Sequence, residues 1–158
     1  MFSDSIYESW KKLQLAKYAD IFPKIQEYLQ NDWNVLDFGI GKSWFEQYLA
    51  ERDFIFQKVI GFDVSEKAVT PRNENIEYII GDKLETQKKF DFVIAFDSIH
   101  KVEDPKIILN YANPGALILI STPEKFQSVL EPFNDFKKLA HGEIGDIEKD
   151  SFILFRKE

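Results

Sequence analysis

The chain has 158 residues, of which 44% are apolar and 15% aromatic, a length and composition that fit one packed domain. The absence of cysteine excludes a disulfide framework, a thiolate metal site and a cysteine nucleophile. The 27 acidic and 20 basic residues give a formal charge of −7 without any dense cationic cluster, which disfavours a nucleic-acid partner.

The N-terminus has neither the basic segment nor the apolar stretch of a signal peptide. The longest apolar run, Ala116 to Ile120, has five residues, whereas a membrane helix needs about 20. We therefore expect a cytoplasmic protein that does not enter a membrane.

Residues 1–33 are predicted to form helices that precede the first strand. Ser5 and Glu8 have the spacing of a capping box, and apolar residues follow at helical intervals. A second helix is predicted to begin near Asp20, with Pro23 in its first turn. These helices could pack on a sheet or cover a ligand, and packing is the simpler expectation.

The stretch from Asn34 to Ser43 reads N-V-L-D-F-G-I-G-K-S and joins an apolar strand, Val35–Phe38, to an amphipathic helix. Glycines at positions 39 and 41 let the backbone turn sharply and approach a ligand where the free N–H groups of the helix point. Ser43 and Glu46 have capping-box spacing, which predicts that the Ser43 side chain caps the helix. The pattern is typical of a nucleotide-type site at the end of a parallel strand.

The rest of the chain alternates between strands and helices. Helices are predicted over Ser65–Val69, after the N-cap and proline of Asp104-Pro105, and after Thr122-Pro123, with a turn at Asn113–Gly115. The further predicted strands are Gln57–Asp63, Ile76–Ile80, Phe90–Phe96, Ala116–Ile120, Phe136–Leu139 and Phe152–Phe155.

This order predicts a single α/β domain over residues 1–158, with helices in 1–33 and the α/β core in 34–158. Strands alternating with helices indicate a parallel sheet, and continuous apolar strands agree because both faces of such a sheet are buried. No helix separates the last two strands, so they are predicted to be antiparallel. The expected fold is a doubly wound, Rossmann-like sheet of about seven strands with helices on both faces.

An acid stands at or just past the end of each of four successive strands. Ligands of open α/β sheets bind beyond the carboxyl ends of the strands, so these acids predict an acidic cleft. Asp63 follows Gly39 by 24 residues, near the roughly 20 expected for an acid that binds ribose hydroxyls. The four acids are Asp37, Asp63, Asp82 and Asp97.

The dinucleotide fingerprint G-x-G-x-x-G is incomplete, because Trp44 stands at the third glycine position. A carboxylate at Asp37 would also repel a pyrophosphate, and both facts disfavour an NAD-dependent oxidoreductase. A phosphate-binding loop is absent too, since Leu36 replaces its leading glycine. An acidic cleft instead suits a ligand that combines a ribose with cationic groups.

From Asn34 to its end the chain resembles the class I S-adenosylmethionine-dependent methyltransferases. V-L-D-F-G-I-G is similar to the family's first motif, G-F-D-V-S-E-K-A-V to its second and G-D-K-L-E to its third. F-D-F-V-I-A-F-D-S-I-H-K-V-E-D-P is similar to the fourth, and P-G-A-L-I-L-I-S-T-P to the motif of the fifth strand. The resemblance implies the family fold, S-adenosylmethionine as cofactor and methyl transfer as the activity.

The resemblance also implies a role for each matching residue. It implies that Asp37 orients the methionyl amino group and that Asp63 binds the ribose hydroxyls. Gly39 and Gly41 would let the ligand come close to the backbone. Val64 would pack on the adenine, Asp82 would accept a hydrogen bond from its amino group, and Lys83 would donate one from its backbone N–H. Phe96 and Asp97 are expected beside the methionyl end and the methyl group.

Two residues are candidates for acting on the methyl acceptor, His100 as a base and Asp97 as a contact. Amino-group methylation of bases and glutamine has an N-P-P-[YF] signature, which residues 97–100 lack, so a small-molecule acceptor is favoured. No metal site is predicted. The chain also departs from the family at Ser43, where a third glycine is usual.

Two hypotheses remain open. The first is a small cytoplasmic methyltransferase acting on a small molecule, and it is favoured by the intact series of acids. The second is a non-catalytic S-adenosylmethionine-binding domain, a sensor or complex subunit, and it is favoured by Ser43, the minimal length and the lack of a substrate cap. Because so little chain remains to shape a pocket, a homodimer or a partner subunit could complete the site.

Overall fold

The computed structural model describes residues 4–64 and 76–158 of the chain. The helix predicted over Ser65–Val69 lies outside the described residues, as does the side chain of Ser5 in the first predicted capping box. Two α-helices are present in the described part, α1 (Asp4–Ile25) and α2 (Trp44–Ala50). The 3-10 helices of the described part span Gln26–Tyr28, Ile99–Lys101, Pro105–Tyr111 and Glu124–Phe133.

Seven strands build one mixed sheet. They are β1 (Asn34–Phe38), β2 (Lys58–Asp63), β3 (Ile76–Ile80), β4 (Phe90–Phe96), β5 (Ala112–Pro123), β6 (Lys138–Ile144) and β7 (Asp150–Arg156). Their order is β3-β2-β1-β4-β5-β7-β6; β7 runs antiparallel to β5 and β6, and the other neighbouring strands are parallel. The strand order reverses between β1 and β4, which is where doubly wound sheets bind ligands. The predicted fold class is confirmed.

The two faces of the sheet have separate cores because successive strand residues point in opposite directions. Val35 packs with α1 and α2 on one face, while Leu36 packs on the other face with the 3-10 helices after β4 and β5. In β4, Phe92 packs on the same face as Val35, and Val93 packs on the same face as Leu36. Helices therefore cover both faces, as the apolar strands predict.

The N-terminal helices differ from the sequence prediction, because one continuous helix replaces the break expected near Asp20. α1 runs through that position and ends two residues after Pro23. Tyr18, Ile21 and Ile25 are all buried, so one face of the helix continues across the expected break. Pro23 lies in the last turn, so the helical hydrogen bond that its missing N–H cannot donate, to the carbonyl of Ala19, is lost only near the end of the helix.

The ends of several strands also differ from the sequence prediction. β5 includes Asn113–Gly115, which was predicted as a turn, because Ala112 already pairs with Phe90 before the register shifts. β6 begins only at Lys138, and Phe136 instead packs its ring on Phe155 at a centroid distance of 4.8 Å. The predicted cap at Asp104 is confirmed, since its side chain accepts from the Lys106 N–H at 3.1 Å.

Over residues 4–64 and 76–158, no helix is long and apolar enough to cross a membrane. The same part of the chain holds no group of three or more His, Asp or Glu residues placed to bind a metal ion.

Candidate functional site

The loop after β1 is built around Gly39. Its N–H and that of Ile40 both donate to the carbonyl of Phe62, at 2.7 and 3.0 Å, which ties the loop to the end of β2. Gly39 has a φ of +87°, and a Cβ added to it would lie 2.4 Å from the Cβ of Ser98. The turn after β1 therefore needs glycine both for its backbone conformation and for the close approach of the β4 loop.

Ser43 does not cap α2 with its side chain, so the predicted capping box is wrong. Its backbone is left-handed, with φ 56° and ψ 32°. Its hydroxyl donates to the carbonyl of Lys42 at 2.7 Å and lies 3.1 Å from the hydroxyl of Tyr78. A serine thus adopts the conformation that a glycine would take in the third position of the motif.

A cavity of about 540 Å³ lies at the carboxyl ends of the strands, near the switch point. This volume is within the range of small-molecule sites, roughly 300–1,000 Å³. Six of the residues predicted from the sequence line it: Gly39, Asp63, Val64, Asp82, Lys83 and Asp97. Further lining comes from Phe38, Phe62, Leu84, Ser98, Lys101, Val102, Glu103, Asp104, Ile107 and Tyr111.

Asp63 ends β2 and is held by the glycine loop. Its Oδ2 accepts a hydrogen bond from the N–H of Gly41 at 2.8 Å, so the second glycine orients the carboxylate instead of lining the cavity. Val64 is 65% exposed beside it and forms an apolar surface at the cavity wall. Asp82 and Lys83, both exposed, follow β3 on the opposite side.

Asp37 and Phe96 do not line the cavity, although the residues that follow them in the chain, Phe38 and Asp97, do. Asp37 is 3% exposed, and burial, followed by the nearby charge of Glu46, raises its pKa well above the ordinary range. Burial also raises the pKa of Glu46, which is 5% exposed. Phe96 packs edge-on to Tyr18 at a centroid distance of 5.1 Å. The sequence analysis took Glu46 for a helix cap and so missed the buried acid pair.

Asp97 follows β4 in a strained, left-handed conformation with φ 58°. Its N–H donates to the carbonyl of Ser121 at 3.0 Å. Its Oδ2 accepts from the side chains of Gln14 and Lys17, both on α1, at 3.1 and 3.2 Å. Strain of this kind persists only where surrounding contacts hold it, and it is frequent at functional sites.

Lys17 joins Asp97 to a second buried carboxyl group. Its Nζ lies 2.9 Å from Oδ1 of Asp150, and Lys17 and Asp150 are 1% and 0% exposed. Burial, then hydrogen bonding with Asp97, raises the pKa of Asp150 to about 8 despite the opposing effect of Lys17. Burial lowers the pKa of Lys17, but Asp97 and Asp150 outweigh it, so that pKa is raised and the amine stays charged.

The sequence analysis missed Gln14, Lys17 and Asp150. In the sequence, Lys17 lies between Ala16 and Tyr18 in the region predicted to be helical, and Asp150 lies in the charged loop predicted before the last strand. Only the helical spacing of Lys17 with Ile21 hinted that this lysine belongs to the buried face.

His100 lies on the 3-10 helix after Asp97, outside the lining of the cavity. Its ring stacks on Phe126 at a centroid distance of 4.8 Å and an interplanar angle of 10°. Burial, then the charge of Lys101, lowers the pKa of His100, while Asp97 raises it. The imidazole is therefore neutral at pH 7 and can accept a proton.

The sequence matches a family model described as a methyltransferase domain over residues 9–145. No match was found among curated proteins.

Solved structures show the same fold. A SAM-dependent methyltransferase from Aquifex aeolicus is 16% identical, with a TM-score of 0.66 and coverage of 98% of this chain and 100% of that chain. A chain of the complex between the Haloferax volcanii Trm112 methyltransferase activator and a methyltransferase is 11% identical (TM-score 0.69; 96% of each chain). The magnesium protoporphyrin IX methyltransferase of Synechocystis PCC 6803, solved with bound SAM, is 16% identical (TM-score 0.66; 94% of this chain, 80% of that chain).

Proposed function

Because the chain belongs to the class I S-adenosylmethionine-dependent methyltransferase family, we propose that it binds S-adenosylmethionine at the switch point and transfers the methyl group to a small molecule. The observation that carries this proposal is the cavity itself. Asp63, Asp82 and Asp97, from the ends of three successive strands, line one space of about 540 Å³. Acidic groups around a partly apolar cavity suit a ligand with a ribose, an adenine and cationic groups.

The ribose and adenine are bound on the β2 and β3 side of the cavity. Asp63 accepts hydrogen bonds from the ribose hydroxyls, and the N–H of Gly41 keeps its carboxylate in place. Val64 packs on the adenine, with Asp82 and the Lys83 backbone as hydrogen-bonding partners. The lining of the cavity by Asp63, Val64, Asp82 and Lys83 supports the assignment.

The methionyl end lies toward Gly39, Phe96 and the buried pair of Asp37 and Glu46. A cationic amino group near this pair favours the ionised form of Asp37 and thereby offsets the cost of burying it. The left-handed backbone of Ser43 weakens one reason for the non-catalytic alternative, because the loop keeps a glycine-like shape without the third glycine.

S-adenosylmethionine, when bound, supplies an activated methyl group on a sulfonium. The protein aligns the acceptor, excludes water and takes up a proton where the acceptor must lose one. Asp97, which lines the cavity, and His100, whose ring is neutral at pH 7, are the residues proposed to contact the acceptor.

The test is the affinity for S-adenosylmethionine and its demethylated product, S-adenosylhomocysteine, measured by isothermal titration calorimetry. Asp63→Ala removes the ribose contact and the acceptor for Gly41, so we expect affinity for both ligands to fall about 100-fold or more. Asp135→Ala, at an exposed aspartate outside the cavity, is the matched control and should bind like the unmodified protein. Retained affinity in Asp63→Ala would overturn the site assignment.

A further inference from the structure

A buried charge cluster of Lys17, Asp97 and Asp150 adjoins the cavity through one of its members. Lys17 Nζ lies 3.2 Å from Oδ2 of Asp97 and 2.9 Å from Oδ1 of Asp150. Lys17 and Asp150 are 1% and 0% exposed, whereas the Asp97 side chain is 17% exposed and lines the cavity. Lys17 and Asp150 do not line the cavity, so they can act on a ligand only through Asp97.

The two carboxyl groups of this cluster share a proton. The side chains of Asp97 and Asp150 are hydrogen-bonded to each other, and two ionised carboxylates cannot form such a bond because both only accept. Oδ1 of Asp97 is buried and receives no donor from any other residue in the described ranges 4–64 and 76–158. Lys17 is the cation of the cluster and balances one carboxylate, so one shared proton makes the cluster neutral.

The shared proton is held by Asp150. Burial disfavours an ionised carboxyl group, and Asp150 is 0% exposed. Asp97 instead accepts at Oδ2 from the side chains of Gln14 and Lys17, as a carboxylate does. Burial, then hydrogen bonding with Asp97, raises the pKa of Asp150 to about 8. The proton is therefore present at neutral pH and is lost in mildly alkaline solution.

The groups that face Asp150 from the neighbouring elements do not titrate between pH 6.5 and pH 9. On α1, the pKa of Lys17 is raised and so is that of the buried Tyr18, which keeps the first charged and the second neutral. After β4, burial lowers the pKa of His100, which stays neutral. Glu148, with Oε1 4.0 Å from Lys17 Nζ, is 56% exposed, so water screens its charge.

We propose that Asp150 is a positioning residue for the methyl donor: through Asp97 it sets the charge beside the sulfonium, and thereby how strongly the protein prefers S-adenosylmethionine to S-adenosylhomocysteine. This inference rests on the proposed function, in which Asp97 lies where the methyl group is transferred. S-adenosylmethionine carries a positive charge on sulfur that S-adenosylhomocysteine lacks. The cluster is neutral with the shared proton and negative without it, and a negative cluster attracts the sulfonium.

The preference for the methyl donor should therefore rise with pH. When Asp150 loses its proton, the attraction for the sulfonium increases, whereas the neutral sulfur of S-adenosylhomocysteine gains nothing from the added charge. Charges in a partly buried site interact far more strongly than in water. We expect the ratio of the two dissociation constants, product over donor, to rise at least about 10-fold from pH 6.5 to pH 9.

The experiment measures both dissociation constants at pH 6.5 and pH 9 by isothermal titration calorimetry, which requires no knowledge of the methyl acceptor. Asp150→Asn keeps a polar side chain but has no carboxyl proton to lose, so its ratio should change less than about 2-fold over this range. Asp135→Asn, the same substitution at an exposed aspartate outside the cavity, should show the full rise. The amino groups of the ligands also titrate here, and the comparison of variants cancels their contribution.

A second variant distinguishes a change in charge from a loss of structure. The hydroxyl of Ser121 donates to Oδ2 of Asp150 at 3.1 Å, and this bond favours the ionised carboxyl. In Ser121→Ala the rise in the ratio should remain but occur at higher pH. A merely structural role for Asp150 would weaken the binding of both ligands equally at every pH. Binding of S-adenosylhomocysteine at pH 6.5 shows that each variant is folded.

The outcomes separate the two proposals. Failure of S-adenosylhomocysteine to bind the unmodified protein overturns the proposed function and this inference with it. Binding of both ligands with a ratio that does not change with pH, or that rises equally in Asp150→Asn and Asp135→Asn, overturns the role of Asp150 alone.

Discussion

At the scale of single residues, two glycines in one motif have different tasks. Gly39 has a left-handed backbone, and a side chain there would meet Ser98. Gly41 is also left-handed, with φ +54°, but a Cβ there would have no atom within 4 Å. The motif spacing alone treats the two positions as equivalent, and the tertiary contacts distinguish them.

Replacing each glycine with alanine should measure this difference. Gly41→Ala carries only backbone strain and should lower the free energy of unfolding by about 1–2 kcal/mol. Gly39→Ala adds a steric conflict with Ser98 and should cost about 2–5 kcal/mol in total. Urea unfolding of both variants gives the comparison, and equal losses would contradict the role assigned to Ser98.

Asp150 links stability to pH. The pKa of this carboxyl is about 8 in the folded protein and near 3.9 in an unfolded chain. Between these values the folded state keeps a proton that the unfolded state has released, so the free energy of unfolding falls as pH rises. The stabilisation that the protonated Asp150 gives to the folded state is complete below pH 4 and is lost as pH rises through 8.

Asp150→Asn removes this titration while leaving an oxygen to accept from Ser121, which donates to Asp150 at 3.1 Å. Between pH 5 and pH 7, its free energy of unfolding should fall less steeply than that of the unmodified protein, by about 1.4 kcal/mol per pH unit. Chemical denaturation across this range measures both slopes. Asp135→Asn, at an exposed site, should keep the slope of the unmodified protein. If the free energy of unfolding of Asp150→Asn also followed pH with that slope, Asp150 would not be the group that links stability to pH.

At the scale of secondary-structure elements, α1 is attached to the end of β4 and to the antiparallel edge of the sheet. Lys17 joins it to Asp97 after β4 and to Asp150 in β7. Asp20 accepts from the N–H of Gly145, between β6 and β7, at 2.8 Å. The helix therefore packs on the sheet, which was the simpler expectation, and it holds Asp97 in place, but none of its described residues lines the cavity.

Lys17→Met tests this attachment. Removing the buried cation leaves the Asp97 carboxylate without its ion pair and the buried Asp150 carboxyl group without its hydrogen-bond partner, and we expect a loss of about 3–5 kcal/mol in the free energy of unfolding. Lys12→Met, at an exposed position of the same helix, should change stability by less than about 0.5 kcal/mol. The double variant Lys17→Met with Asp150→Asn should lose less than the sum of the single losses, because both substitutions remove the same contact between Lys17 and Asp150.

At the scale of the whole molecule, ligand binding should raise the free energy of unfolding by a measurable amount. A ligand at about 100 times its dissociation constant adds roughly 2.7 kcal/mol to the free energy of unfolding. For a protein of this size the melting temperature should rise by about 5–10 °C with S-adenosylmethionine or S-adenosylhomocysteine. NAD should produce no shift, and a shift with NAD alone would contradict the cofactor assignment.

The sequence by itself determined the architecture and the acids that end β1 to β4. Strand patterns and glycine turns are local, so periodicity located the seven strands although it misplaced several ends, and the break expected in α1 did not occur. Gly39, Asp63, Val64, Asp82, Lys83 and Asp97 were predicted for the site and do line one cavity.

Only the tertiary structure decided which polar residues are buried together. Glu46, Lys17 and Asp150 have ordinary sequence surroundings, and each is at most 5% exposed only because elements distant in the chain pack over it. Desolvation and charge coupling depend on distances in space, which no local pattern encodes. The buried acid pair and the charge cluster that holds Asp97 are therefore products of packing, whereas the sheet that positions them follows from the order of apolar and turn residues.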